Sequence, residues 1–526
     1  MAGNSAGVYI REIDASQGIQ AVATSIGAIV GPSAQGPVGV PTLVTSAKNF
    51  VNIYGKPNPQ LTYMHYCALA FLNTSQALYV TRVANAPLYG GMVCSVVSGF
   101  NQSSPWTAGQ SDPITGYVPA AADLFAIYGI DQGVWNDTLS VSLYPAQPSI
   151  PTDNTFKVDV FVSPSTVPVE SFTCTLVSQL DGFGKQMQID LQINRFSNYI
   201  KVILNSNATA IQATPKAKIV NAIDGATFAG GSDGLAINDS HIINGWAEYA
   251  DPEAISINIL INGGYSDPAV QLAIDTLCRD RMDCVAVLDM PSASQSINSA
   301  LTYRRSTLNL DSSWSAMYSP DLLAVDPYTG QQLYIPPSGY VAAVYALTDS
   351  VASAWSAPAG MTRGGLNVLG LAQNYQQGDR DVLDAAQINA IRVVYAAGIK
   401  IWGSSTMQVM ASALSEISVR RLMIMLEQSI ARASLYSAFE DNTPSLRLKL
   451  TNITNSFLQP IKNAGGVFDF NVVCDNSNNT NDLIATGDTV LDVYIDPALP
   501  VKRIHLNAII ARTGGIAFAL NQVSGK

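Results

Sequence analysis

Ala254-Ile255-Ser256-Ile257-Asn258-Ile259-Leu260-Ile261, Asp267-Pro268 and Cys284-Val285-Ala286-Val287-Leu288 decide the fold. The first run predicts a strand. Asp267-Pro268 predicts a helix start, with Val270, Ile274 and Leu277 inward, because proline suits the first helical turn. Cys284–Leu288 is almost continuously apolar, as a parallel strand buried on both faces is. The alternation continues through Leu322–Val325, the turn Tyr328-Thr329-Gly330 and the run Gly339–Leu347. A helix over Asp384–Ala397, ending at Gly398, and a strand over Ile399–Trp402 follow. Such alternation predicts a parallel sheet covered by helices over residues 243–403. Residues 23–89 share this α/β character, with a helix over Thr62–Thr74 and a strand over Ala77–Val83.

The pattern changes over residues 90–242. Short strand-like runs recur without helices at Leu124–Ile130, Leu139–Tyr144, Phe156–Val162, Phe172–Ser178, Met187–Asn194 and Tyr199–Leu204. Turn residues separate them, which predicts an inserted β-sandwich or small barrel. Residues 89–242 hold 12 acids and 6 bases, a net of −6 in a chain of net −11. That acidity is read as a means of solubility, with the outermost, most solvated part of an assembly as the alternative.

Beyond residue 403, Ile417–Phe439 reads as an amphipathic helix with Leu422, Met425, Leu426, Ile430 and Ala433 inward. A second helix begins at Pro444 and closes at Gly465-Gly466, with Pro460 in its last turn. Strands are predicted at Gly466–Val473, Thr489–Asp496 and Val501–Ile510. The last two are expected to form a hairpin with Leu491, Val493, Ile495, Ile504, Leu506 and Ile510 facing the core. Both ends of the sequence carry strand-like segments without a local partner. These are Val8, Tyr9, Ile10 and Arg11 near the start, and Ile516, Phe518 and Leu520 near the end. Unpaired strands template association, so the two segments are read as arms that add strands to neighbouring chains.

Length and composition bound the rest. The 526 residues correspond to three or four domains at about 150 residues each. The 48% hydrophobic and 13% charged content excludes a mainly disordered chain. The acidic balance argues against nucleic-acid binding, which needs clustered Lys and Arg. No run approaches the roughly 20 apolar residues of a bilayer span, and no signal peptide is read at the start. Cys67, Cys94, Cys174, Cys278, Cys284 and Cys474 contain no CxxC pair, so they are expected as reduced core residues.

Catalytic and metal motifs are sparse. His65, His241 and His505 form no HExxH or Cys/His cluster, and no metal is expected. Gly31-x4-Gly36 has the spacing of a phosphate loop, but Pro37 stands where lysine is needed. Asp475–Asp482 lacks the Gly and Glu of a calcium loop, with Thr480 and Thr486 in their places. Ser405 follows a strand, yet a triad needs a histidine, for which only His241 is in a loop-like setting. Asp379, Asp381 and Asp384 are explained by helix capping. No cofactor and no enzymatic activity are expected.

The ordered motifs resemble those of contractile bacteriophage tail sheath proteins. They are Gly7-Val8-Tyr9-Ile10-Arg11-Glu12, Gly133-Val134-Trp135-Asn136-Asp137, Gly230-Gly231-Ser232-Asp233-Gly234 and Pro336-Pro337-Ser338-Gly339-Tyr340. Ala357-Pro358-Ala359-Gly360, Gly398-Ile399-Lys400-Ile401-Trp402-Gly403 and Arg420-Arg421-Leu422 complete the set. Ala6 and Ser404-Ser405-Thr406 depart from the family pattern.

The resemblance implies a subtilisin-like α/β core without protease activity (residues 23–89 and 243–403) carrying the inserted β-sandwich (90–242). It implies a C-terminal α+β sheath domain (404–512) and strand-exchange arms at 1–22 and 513–526. It further implies a homopolymer of six-fold rings stacked helically around an inner tail tube, meeting baseplate and tail terminator proteins. Contraction would drive the tube through the host envelope. The resemblance implies a phage virion tail assembled in the host cytoplasm, or a phage-derived injection device. Arg420, Arg421 and Arg432 are the candidate tube-facing cations. Neither nucleic acid nor membrane insertion is implied.

Overall fold

A computed structural model describes residues 19, 21–97, 100–146, 154–208, 211, 219 and 221–503. They fall into two compact units divided between Asp441 and Asn442.

The centre of the first unit is a nine-stranded sheet. Its order is Gly365–Leu366, Gly398–Ile401, Ile388–Val394, Ser315–Ser319, Val285–Asp289, Ile259–Ile261, Gly27–Gly31, Leu78–Arg82 and Thr42–Val44. The strands from Ile388–Val394 through Leu78–Arg82 run parallel, and antiparallel pairings close both edges. Alternate residues feed two cores. Ile29, Ile261, Val287 and Tyr318 pack with Phe71 and Val341 on one face. Ala28, Leu260, Leu288 and Met317 pack with Trp246 and Ile274 on the other. Strands buried on both faces read as continuous apolar runs, which explains Cys284–Leu288. Asp267 caps the Pro268–Arg281 helix by accepting from the Ala269 amide at 2.8 Å.

Two antiparallel four-stranded sheets lie between residues 91 and 227. One runs Ile200–Leu204, Asp123–Gly129, Gly91–Val97, Phe100–Pro105. The other runs Ile223–Thr227, Leu139–Pro145, Phe156–Val162, Glu170–Cys174. Phe125, Ile127 and Val202 of the first share one core with Val141, Val158 and Cys174 of the second. Arg82, 1% exposed, ties this module to the central sheet. Its guanidinium donates to the Gly36 carbonyl at 2.9 Å and to the Gln132 carbonyl at 2.6 Å.

Several expected elements differ. Met187–Asn194 is not a strand. Ile189–Phe196 is a helix that buries Ile189, Gln192 and Ile193, a helical spacing. The helix expected over Asp384–Ala397 is instead a helix over Gln377–Ala385 and a strand over Ile388–Val394. Gln387, with φ 58°, breaks the helix, and Ile388, Ile391, Val393 and Val394 favour a pleated surface. The strand expected over Ala254–Ile261 shortens to Ile259–Ile261. The Ile417–Ser434 helix is shorter than the expected Ile417–Phe439 and contributes Ile417 and Ile424 to the first unit's core.

In the second unit, Thr443 caps the Pro444–Asn463 helix by accepting from the Leu446 amide at 3.2 Å. The helix packs on the Val467–Val473 strand, which pairs antiparallel with Asp492–Pro497. Asn479, 1% exposed, closes the intervening loop by accepting from the Val490 amide at 2.7 Å. Within Asp475–Asp482 the Asp475 amide donates to Asn478 Oδ1 at 3.0 Å and the Ser477 amide to Asp475 Oδ1 at 2.7 Å.

One close approach fixes the helix layer. A Cβ on Gly339 would stand 2.3 Å from Cys67 Cα, a backbone atom that cannot yield as a side chain does. Gly339→Ala is therefore expected to destabilise the chain by about 1–3 kcal/mol or more, read as a lower urea midpoint. Gly330→Ala serves as a φ-strain control, because nothing lies within 4 Å of its added Cβ.

Candidate functional site

Val22 and Thr24, ahead of the Gly27–Gly31 strand, are fastened to the body by side chains from two helices. The Val22 amide donates to Ser429 Oγ at 3.2 Å. Thr24 Oγ1 donates to Asp349 Oδ2 at 2.7 Å, and Arg421 Nη2 donates to the Thr24 carbonyl at 3.3 Å. Arg421 also pairs with Asp349 Oδ2, with side-chain exposures of 3% and 8%. The guanidinium lies 4.9 Å from the Tyr345 ring centroid. Asp349 belongs to the Ser338–Val351 helix, and Arg421 and Ser429 to the Ile417–Ser434 helix. Helical spacing sets Arg421, Met425 and Ser429 along one stripe, which the Val22–Thr24 segment follows.

This placement corrects the expectation for two of the three arginines. Arg420 and Arg421 are buried within their own subunit. Arg420 stacks 3.7 Å from the Trp314 ring centroid and approaches Glu427 at 3.4 Å. Neither is a solvated cation on a helix face. Arg432 is exposed and reaches Ser256 at 3.4 Å. The Thr24–Asp349–Arg421 contact had no local sequence signal, because its members are 325 and 72 positions apart.

In the second unit, Phe470 faces Ile495 and Val472 faces Val493 across the two-stranded sheet. Leu491, Val493 and Ile495 are half-buried, and Tyr494 is exposed. Among the described residues neither strand has a second neighbour, so each leaves one backbone edge open. Ile504, Leu506 and Ile510 lie outside the described residues, as do Val8, Tyr9, Ile10, Arg11, Ile516, Phe518 and Leu520.

The carboxyl ends of the parallel strands are where an α/β enzyme binds its ligand. Here they carry a buried polar cluster. Asp289 Oδ1 accepts from the Ser338 amide at 2.7 Å. Its Oδ2 accepts from Ser338 Oγ at 2.7 Å, the Gly264 amide at 3.0 Å and Asn262 Nδ2 at 3.2 Å. Asp289, Ser338, Asn262 and Gln271 are each 0% exposed. Desolvation pushes the Asp289 carboxyl up to about 6 against donors that lower it. His241, three residues after Asn238, completes a capping box with it. Asn389 holds the Ser405 amide and carbonyl, both at 2.7 Å. All six cysteines are buried and free.

The family model for the phage tail sheath protein central domain matches residues 236–407, and that for the phage tail sheath C-terminal domain matches 411–511. The tail sheath protein of Enterobacteria phage T4 is 28% identical over 321 residues, covering 57% of this chain and 49% of that protein. The chain spans about half the length of the first curated relatives it matches. A sheath tail protein of Listeria innocua shares the fold at TM-score 0.59 and 8% identity, covering 92% of this chain and 97% of that one. The sheath of the extracellular contractile injection system PVC, in its contracted state, does so at 0.55 and 15%, covering 97% and 99%.

Two outcomes follow from the site's electrostatics. Asp289 has a folded pKa above the ordinary value of about 3.9, so the folded chain holds a proton between about pH 4 and 6 that the unfolded chain releases. Its contribution to stability therefore falls as pH rises through that window. Asp289→Asn is expected to remove this slope, a difference on the order of 3 kcal/mol between pH 4 and 7 in paired urea titrations. Breaking the buried ion pair by Arg421→Met or Asp349→Ala is expected to cost about 3–5 kcal/mol each. The double variant is expected to lose less than their sum, read by thermal unfolding.

Proposed function

The chain belongs to the phage tail sheath protein family, and we propose that it is the polymerising subunit of a contractile sheath. The observation that carries this is the open two-stranded sheet of the second unit. Among the described residues its strands of seven and six residues have one partner each, so two backbone edges can take a further strand. Each added backbone hydrogen bond contributes about 0.5–1.5 kcal/mol net.

On this reading, Val8, Tyr9, Ile10 and Arg11 of one neighbour take one edge. Ile516, Phe518 and Leu520 of another take the other, and Ile504, Leu506 and Ile510 complete the acceptor. Copies so linked form six-fold rings stacked into a helical tube around an inner tail tube, between baseplate and terminator. The Thr24–Asp349–Arg421 contact supports a pivot outside the body: motion of the N-terminal arm begins before Val22. Contraction then requires two packings of rigid bodies with the strands kept paired. The energy is stored in the assembled array, so no nucleotide or catalytic step enters. The central sheet is read as subtilisin-like, with Asp289 and Ser338 hydrogen-bonded directly rather than through an imidazole. The acidic sheets between residues 91 and 227 are read as the outward-facing sandwich. Arg432 remains as the cation available to a tube. The likeness to an injection-system sheath also supports a phage-derived device that drives the same stroke.

Deleting residues 1–14 or 514–526 is expected to leave a folded subunit that forms no tubes in negative-stain micrographs. Tubes of ordinary length from both truncated chains would overturn the strand-exchange reading.

A further inference from the structure

The edge hairpin of the central sheet places Arg392 directly opposite Lys400. Like charges so placed repel. Among the described residues neither cation lies within ion-pair distance of a carboxylate. The third strand sets Gly365 beside Lys400, so no side chain covers the ammonium from that side. The Arg392 guanidinium lies 4.6 Å from the Trp402 ring centroid, and its buried Nε has no hydrogen-bond partner. Trp402 is 40% exposed, and Tyr395 in the hairpin turn is 97% exposed. Arg380 of the neighbouring helix adds a cation beside Arg392, with Asp379 and Asp381 beside Arg380. Arginine framed by exposed Trp and Tyr is the composition of an interface anchor. The missing component is an anion.

The chain carries such anions elsewhere. On the second sheet of the inserted module, Ser142 Oγ donates to Asp224 Oδ1 at 2.7 Å and stands opposite Asp159 in the register. Ser171 Oγ donates to Asp159 Oδ1 at 2.5 Å. The row Asp224–Ser142–Asp159–Ser171 is an acidic strip with no ion-pair partner among the described residues. Lys157 lies two positions along the same strand. The strip belongs to the module whose residues 89–242 carry a net −6.

We propose that the Arg392–Lys400 face docks a second copy of this chain, receiving the Asp159–Asp224 strip of its inserted module. Two different, complementary patches on one chain make a heterologous contact, which propagates into a helix when it does not close. The proposal rests on the polymer described above and adds a contact that the arms do not supply. Asp224 is exposed and Asp159, Arg392 and Lys400 are half-buried, so solvent ions reach both patches and the contact weakens with salt.

The test compares full-length chains. R392E/K400E is expected to fold, by circular dichroism, and to leave at least tenfold more unassembled protein than wild type at low salt. D159K/D224K is expected to do the same. Combining both pairs in one chain is expected to restore tubes. R392Q/K400Q, with no introduced repulsion, is expected to show a smaller loss and decides the matter should charge reversal unfold the hairpin. Unchanged assembly of R392E/K400E or, in that case, of R392Q/K400Q would overturn the proposal. So would a loss that the charge swap does not restore, which would assign the face to a different protein. Wild-type tubes in the same experiment keep either result separate from the sheath reading itself.

Discussion

Backbone N–H and C=O groups on a strand edge must be paired, covered or left in water, and the two units of this chain meet that constraint in opposite ways. The central sheet ends on strands of two and three residues, Gly365–Leu366 and Thr42–Val44. Edges that short offer a neighbour little to pair with. The second unit ends on strands of seven and six residues with one sheet partner each among the described residues. A two-stranded sheet is marginal by itself, so added strands would strengthen it as well as join copies.

In the first unit, buried polar contacts fasten peripheral segments to the body. Arg421, Asp349 and Thr24 form a desolvated contact that ties the Val22–Thr24 segment to two helices. Arg82 does the same for the inserted module through backbone carbonyls. At the carboxyl ends of the parallel strands, Asp289 is occupied by Ser338, Gly264 and Asn262. This carboxylate is 0% exposed, and both of its oxygens are taken up by the chain's own donors. Buried polar groups of this kind contribute specificity of arrangement at a cost in desolvation.

How legible the molecule was depended on whether a feature is local. The Pro268–Arg281 helix was readable from Asp267-Pro268 and its inward apolar positions, because caps and periodicity act within a few residues. The Val285–Asp289 strand was readable because two-sided burial leaves an unbroken apolar run. The Ile388–Val394 strand was misread as helix, since its apolar residues fit both periods and its pairing with Gly398–Ile401 is tertiary. Arg420 and Arg421 were expected to face a tube, yet both are buried. Their stacking on Trp314 and Tyr345 depends on residues about 75 to 106 positions away.

The sequence by itself determined the α/β alternation, the inserted β-rich acidic module, the buried thiols and the family, because these rest on periodicity, composition and ordered motifs. Only the tertiary structure decided which cations are buried, which strand edges stay open among the described residues and how the Val22–Thr24 segment is fastened to the body. Each of those is a contact between distant positions, and its free energy depends on desolvation and geometry that no local pattern encodes.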